Sequence, residues 1–142
     1  MEFKIISHNS NKYKEVVALR QKILRDPLGM KFSKEDLERD AYETICVCVE
    51  DGKIVGCNQL AHHADRTAKL RQMAVESSQQ GKGTGSKLLF FAEDTARKKG
   101  YTTIELHARM TAKNFYLKNG YELISDVFTE VGIPHVKMKK EL

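Results

Sequence analysis

Apolar and polar positions change period along the chain, and each change marks an element. Phe3, Ile5 and Ile6, interrupted by Glu2 and Lys4, predict a strand over residues 2–7. Val16, Val17, Leu19, Ile23 and Leu24 recur at helical spacing and predict a helix over 11–26, stopped by Asp26-Pro27-Leu28-Gly29. Ser33 with Asp36 three residues on is a capping signature for a short second helix. Apolar runs over 44–49 and 53–60 flank Asp51-Gly52, the dipeptide of a tight hairpin, and 70–75 reads as the next strand. A helix follows from about Gly83 to Lys99, with Leu88, Leu89, Ala92 and Ala96 as its inner stripe. Residues 102–106 predict a strand and 111–118 a helix. Residues 121–129 and 135–139 predict two closing strands around Gly132-Ile133-Pro134.

Composition narrows the class. A chain of 142 residues, 41% hydrophobic and 30% charged, is expected to form one domain over 1–142 with a real core. No apolar run reaches membrane-spanning length and the N-terminus lacks a signal-peptide pattern, so no membrane partner and a cytoplasmic location are expected. Cys46, Cys48 and Cys57 are odd in number and without metal-ligand spacing, and they read as reduced, buried thiols; no metal is expected. Cys46 and Cys48 should share one face of a strand. The net charge of +5 is scattered, and Arg97, Lys98 and Lys99 before Gly100 suit a helix C-terminus, so nucleic acid is not the expected partner.

The chemistry concentrates at Gln80-Gly81-Lys82-Gly83-Thr84-Gly85, between a strand ending near Val75 and a helix. Unpaired amides at a helix start, the positive end of its dipole, and glycines that permit close approach make a seat for a phosphorylated ligand. Ser86 replaces the third glycine of the dinucleotide fingerprint, and the P-loop spacing is absent. What fits is Gln80-x-x-Gly83-x-Gly85, followed some thirty residues later by Ala112-x-x-Phe115-Tyr116-Leu117-Lys118-Asn119-Gly120-Tyr121. These two motifs in this order resemble the GCN5-related N-acetyltransferase (GNAT) superfamily. Leu106-His107-Ala108 and Gly132-Ile133-Pro134-His135-Val136-Lys137-Met138 are similar to its ElaA/YjcF-like branch. Arg109, where that branch often has glutamine, and the segment Leu24 to Gly29, where many members carry a Glu-Gln pair, depart from the pattern on the substrate side.

The resemblance implies an α/β fold over nearly the whole chain: a single mixed, mostly antiparallel seven-stranded sheet flanked by about four helices and splayed between strands four and five. It implies an acetyl-CoA-dependent N-acetyltransferase acting on a primary amine of a small molecule or peptide. Pantetheine would pair with Met73, Ala74 and Val75, and a strand amide near Met73 or Ala74 would polarise the thioester carbonyl. Residues 80–85, with Ser86, would cradle the pyrophosphate, and Asn114 and Tyr116 would reach coenzyme A. Gln80 could instead brace the loop, and Lys82 reads more simply as a solvated lysine. Tyr116 is the candidate acid for the leaving thiolate, with helix core as its alternative. The base stays open among His107, His135, His62 and His63, with Glu130, Glu76 and Glu43 as further carboxylates. A non-catalytic coenzyme A-binding regulatory module is the alternative to an enzyme. Edge strands of such sheets also offer a route to a homodimer.

Overall fold

A computed structural model describes residues 1–142. Its elements are β1 (Glu2–Ile6), α1 (Tyr13–Arg20), α2 (Lys34–Arg39), β2 (Thr44–Glu50), β3 (Lys53–Ala64), β4 (Thr67–Val75), α3 (Thr84–Lys98), β5 (Thr103–Arg109), α4 (Lys113–Lys118), β6 (Glu122–Leu123), β7 (Phe128–Glu130) and β8 (Ile133–Glu141). One sheet runs β1-β2-β3-β4-β5-β8-β6, with β7 also on β8. All pairs are antiparallel except β4 with β5. This is the expected architecture, with one change. The single strand predicted over 121–129 is two short pieces on the same edge of β8, because the Ser125 hydroxyl, not a ladder carbonyl, accepts the Lys137 amide at 2.8 Å.

Both faces of the central strands are covered, which is why β2 reads as the continuous apolar run Ile45-Cys46-Val47-Cys48. Ile45 and Val47 pack under Val16 and Leu19 of α1. Cys46 and Cys48 face Leu88, Leu89, Ala92 and Ala96 of α3, with Tyr116 of α4 in the same cluster. Burial pushes the Cys46 and Cys57 thiols up to about 12 and Cys48 to about 11, so none is a thiolate nucleophile at neutral pH. Gly56 is demanded by packing, since a Cβ there would lie 2.7 Å from Cys48 Sγ.

The helix predicted over 11–26 is α-helical only to Arg20. A π turn (Gln21–Arg25) and a 3-10 turn (Asp26–Leu28) follow, ended by Gly29 at φ 66°. The capping box of α2 forms as expected: Asp36 N–H donates to Ser33 Oγ at 3.0 Å and Ser33 N–H to Asp36 Oδ2 at 2.9 Å. Between α1, α2 and the sheet lies a polar network the sequence does not advertise. Arg20, fully buried, donates through Nη1 to Asp40 Oδ2 (2.6 Å) and Gln59 Oε1 (2.9 Å), while Gln59 Nε2 donates to Asp40 Oδ1 (2.9 Å) and Glu43 Oε1 (3.1 Å). Glu43 then ion-pairs with Arg71 of β4. No helix is long and apolar enough to cross a membrane.

Candidate active site

The parallel ladder between β4 and β5 runs from Thr67 and Thr103 only as far as Leu70 and Leu106; beyond it the strands part. The cause lies in β4. Gln72 has φ 57°, a left-handed conformation that a non-glycine residue adopts at a cost of about 1 kcal/mol or more, and Gln72 and Met73 together oppose the single residue Asn58 of β3. This bulge turns the last residues of β4 away from β5. Their separation opens a cleft of about 840 Å³ that runs from the loop before α3, past the end of β4, to the π turn after α1.

At one end is the glycine-rich loop before α3. Gly81 (φ 80°) and Gly83 (φ 81°) take conformations that only glycine adopts freely, and α3 begins at Thr84. Among the turn and cap hydrogen bonds, none uses the amides of Gly81, Gly83, Thr84, Gly85 or Ser86. Five donors at the start of a fifteen-residue helix form an anion seat. Gln80 braces the loop through Nε2 to the Val75 carbonyl at 3.3 Å. The Thr84 hydroxyl is tied to Gln79 Oε1 at 3.0 Å, which leaves its amide as the group it offers. A side chain on Gly85 would meet the Phe115 ring edge at 3.3 Å, so glycine keeps the helix start against α4. Lys82 and Asn114 are exposed and do not line the cleft.

In the middle of the cleft stands the free edge of β4. Glu76 N–H donates to Val55 O on the β3 side, so strand alternation sends the Ala74 amide the same way and the Val75 and Met73 amides into the split. That narrows the sequence expectation. Of the two amides considered for the carbonyl, Met73 is the one aimed into the opening, while Ala74 pairs across to Cys57. Tyr116 lines the cleft opposite, 6% exposed, between the rings of Phe115 and Tyr121 at 5.1 and 5.6 Å. Burial raises its pKa, which keeps the phenol protonated as a donor.

The far end carries two of the histidines considered from sequence, both in strands: His107 lies within β5, not after it, and His135 lies in β8, because the turn itself is Val131-Gly132. Glu130 joins them, with Oε1 2.8 Å from His107 Nδ1 and Oε2 3.6 Å from His135 Nε2. His135 Nδ1 lies 3.0 Å from the Ile133 carbonyl, so that nitrogen carries the proton. Desolvation raises the Glu130 pKa, but the His107 hydrogen bond and the charges of His107, His135 and Lys69 outweigh it and leave it lowered. The stabilisation from Glu130 is therefore complete above the ordinary carboxylate range and fades as pH falls through the lowered folded value. Thermal melts of Glu130→Gln should show its deficit at neutral pH disappearing in acid; a deficit independent of pH would mean that the charge is not involved.

The remaining candidates lie elsewhere. His62 and His63 are exposed, bonded to Tyr101 Oη at 3.0 Å and Glu105 at 2.8 Å, and do not line the cleft. Glu43 is taken by Arg71 and Gln59, and Glu76 pairs with Lys22 at 2.9 Å. The Gln72 bulge, Asn58 opposite it, and Arg25, Lys69 and Arg71 were not foreseen. A polar asparagine inside a predicted strand was the one sequence signal available for that region.

Residues 12–142 match the family described as acetyltransferase (GNAT) domain. An uncharacterized Bacillus subtilis N-acetyltransferase, YjcF, is 27% identical over 96% of this chain and 98% of its own. The crystal structure of a candidate N-acetyltransferase from Lactobacillus plantarum superposes with a TM-score of 0.86 at 28% identity, covering 100% of this chain and 99% of that one. Escherichia coli ElaA superposes at 0.84 with 18% identity over 99% of this chain and all of its own, a likeness of fold.

Proposed function

Since the chain belongs to the GNAT acetyltransferase family, we propose that this acyltransferase moves an acetyl group from acetyl-CoA directly to a primary amine, within one catalytic domain over 1–142. The observation that carries the reading is the conjunction of five unpaired amides at the start of α3 with a bulged, unpaired β4 edge in one cleft. A structure of an aminoglycoside 6'-N-acetyltransferase with the same fold was solved in complex with coenzyme A (TM-score 0.80, 17% identity). That supports coenzyme A as the ligand here.

The amides of Gly81, Gly83, Thr84, Gly85 and Ser86 hold the pyrophosphate, and Val75 pairs with the pantetheine arm. The Met73 amide donates to the thioester oxygen as negative charge develops on it. The amine attacks the carbonyl carbon, the tetrahedral intermediate collapses as the C–S bond breaks with its electron pair on sulfur, and the proton remaining on the new amide nitrogen passes to that sulfur. Tyr116 donates a hydrogen bond to the departing thiolate. With its pKa raised by burial, the phenol stabilises the anion more readily than it surrenders its proton. Tyr116→Phe should lower kcat by about 100-fold and leave the KM for acetyl-CoA nearly unchanged; an unaltered kcat would assign Tyr116 to packing alone.

His107 is the base. Glu130 orients it through Nδ1, and Nε2 remains free to take a proton from the acceptor ammonium. His135, 3% exposed and fixed by Ile133 and Glu130, positions the pair. His107→Ala should lower kcat by about 100-fold while coenzyme A affinity stays near wild type; an unaltered kcat would pass the role to another group.

The reaction is tested by following free thiol from acetyl-CoA across a panel of amines. Release that depends on an amine supports transfer. Tight coenzyme A binding with silence on every amine would favour a regulatory binder.

A further inference from the structure

The acceptor half of the cleft is lined by more positive charge than its carboxylates neutralise. Arg39 is held by Asp36 at 2.9 Å and Arg71 by Glu43, so those two cations are matched. Arg25, Lys69 and Arg109 line the same space and take part in none of the protein's ion pairs. Two of them converge. Arg25 Nη1 and Arg109 Nη2 both donate to the Leu24 carbonyl, at 3.3 and 2.6 Å, which holds the two guanidinium nitrogens within about 6 Å of each other by that shared contact. The Phe32 ring, 4.3 Å from Arg25 Cζ, fixes that guanidinium from behind, and Arg20 stacks on the same ring at 4.4 Å.

Like charges brought together around one neutral oxygen repel, and each guanidinium still has donors to spare. Burial, then the neighbouring Arg109 charge, lowers the Arg25 pKa, and burial lowers that of Arg109. Lys69 extends the positive field along β4 toward Glu130. The Glu130 carboxylate is turned to the histidines, and it is the group that suits an ammonium.

Resting on the acetyl-transfer reading, we propose that the acceptor is an amine that also carries an anionic group, and that Arg25 and Arg109 together seat that group as a carboxylate or phosphate while the nitrogen lies toward His107 and Glu130. Planar forked donors match either anion in bidentate geometry, which a single lysine would not. The anion fixes one end of the acceptor and thereby selects for amines that bear it.

The test is binding to the protein saturated with coenzyme A, read by calorimetry, so that it does not depend on turnover. Lysine against cadaverine probes the carboxylate, and phosphoethanolamine against ethanolamine the phosphate. The anionic member of at least one pair should bind roughly 10- to 100-fold tighter, and which pair shows the gap identifies the anion. Arg25→Gln and Arg109→Gln should each shrink that gap while coenzyme A affinity stays near wild type. Equal or absent binding of both members in both pairs overturns the proposal, and so does a loss of coenzyme A affinity in the two variants, which would assign the arginines to the cofactor. The comparison on the wild-type protein stands even if a variant folds poorly. A preference for anionic amines with no acetylation would retain the seat and remove the transferase reading; acetylation of neutral and anionic amines alike would do the reverse.

Discussion

Gly85→Glu should lose coenzyme A binding by roughly 1000-fold, the equivalent of two or more charge-assisted hydrogen bonds, while the protein stays folded. The residue sits in the first turn of α3, where its amide is unpaired and an added Cβ would already touch Phe115. A glutamate there places bulk and a negative charge where two phosphates must rest. The same carboxylate suits the start of a helix, so the fold has little reason to fail. Gly83→Glu should be comparably damaging to binding, and it adds backbone strain of about 1–2 kcal/mol because Gly83 has φ 81°. Gly85→Ala, which asks Phe115 only to move slightly, should retain most of the affinity. Calorimetry with circular dichroism checks all three; unchanged affinity in Gly85→Glu would place the cofactor elsewhere.

Asp40→Ala should destabilise the protein by about 3–5 kcal/mol, the cost of stranding a buried charge. Arg20 and Asp40 have no exposed side-chain surface, and two Arg20 nitrogens, Nε and Nη2, already lack a partner. Without Asp40 the guanidinium keeps only Gln59 and the face of Phe32. The effect should reach the cleft, because Gln59 passes from Asp40 to Glu43 and Glu43 holds Arg71 on the bulged strand. Urea unfolding measures the loss; a change below about 1 kcal/mol would mean that water or Gln59 satisfies Arg20.

The parts of the site that were legible in the sequence are those written in local spacing. Gln80, Gly83 and Gly85 announce the loop because a helix N-terminus and its glycines are neighbours in the chain, and Asp51-Gly52 announces its hairpin for the same reason. The bulge was not legible. Gln72 adopts φ 57° without being glycine, and only pairing with β3 and the neighbour Asn58 enforces it. Likewise β3 and β4 run on to Ala64 and back from Thr67 around Arg66 at φ 58°, a turn carrying no glycine or proline. The π turn adds too little to the helical period of residues 11–26 to disturb the apolar pattern, yet it aims Arg25 at the cleft. Arg20, Asp40 and Gln59 are separated by about twenty residues at each step, so their network exists only once the sheet forms. Arg25 and Arg109 lie far apart in the chain, and the fold brings them to one carbonyl.

Transfer of a carbonyl-labelled acetyl group tests the central claim most directly. Acetyl-CoA carrying carbon-13 at the carbonyl is supplied with an accepted amine, and the label is followed by NMR while free thiol is counted. The account predicts a new amide carbonyl on the acceptor, appearing one-for-one with thiol and slowed about 100-fold by Tyr116→Phe. Thiol released with the label recovered as free acetate, or label retained on coenzyme A with every amine offered, would contradict it.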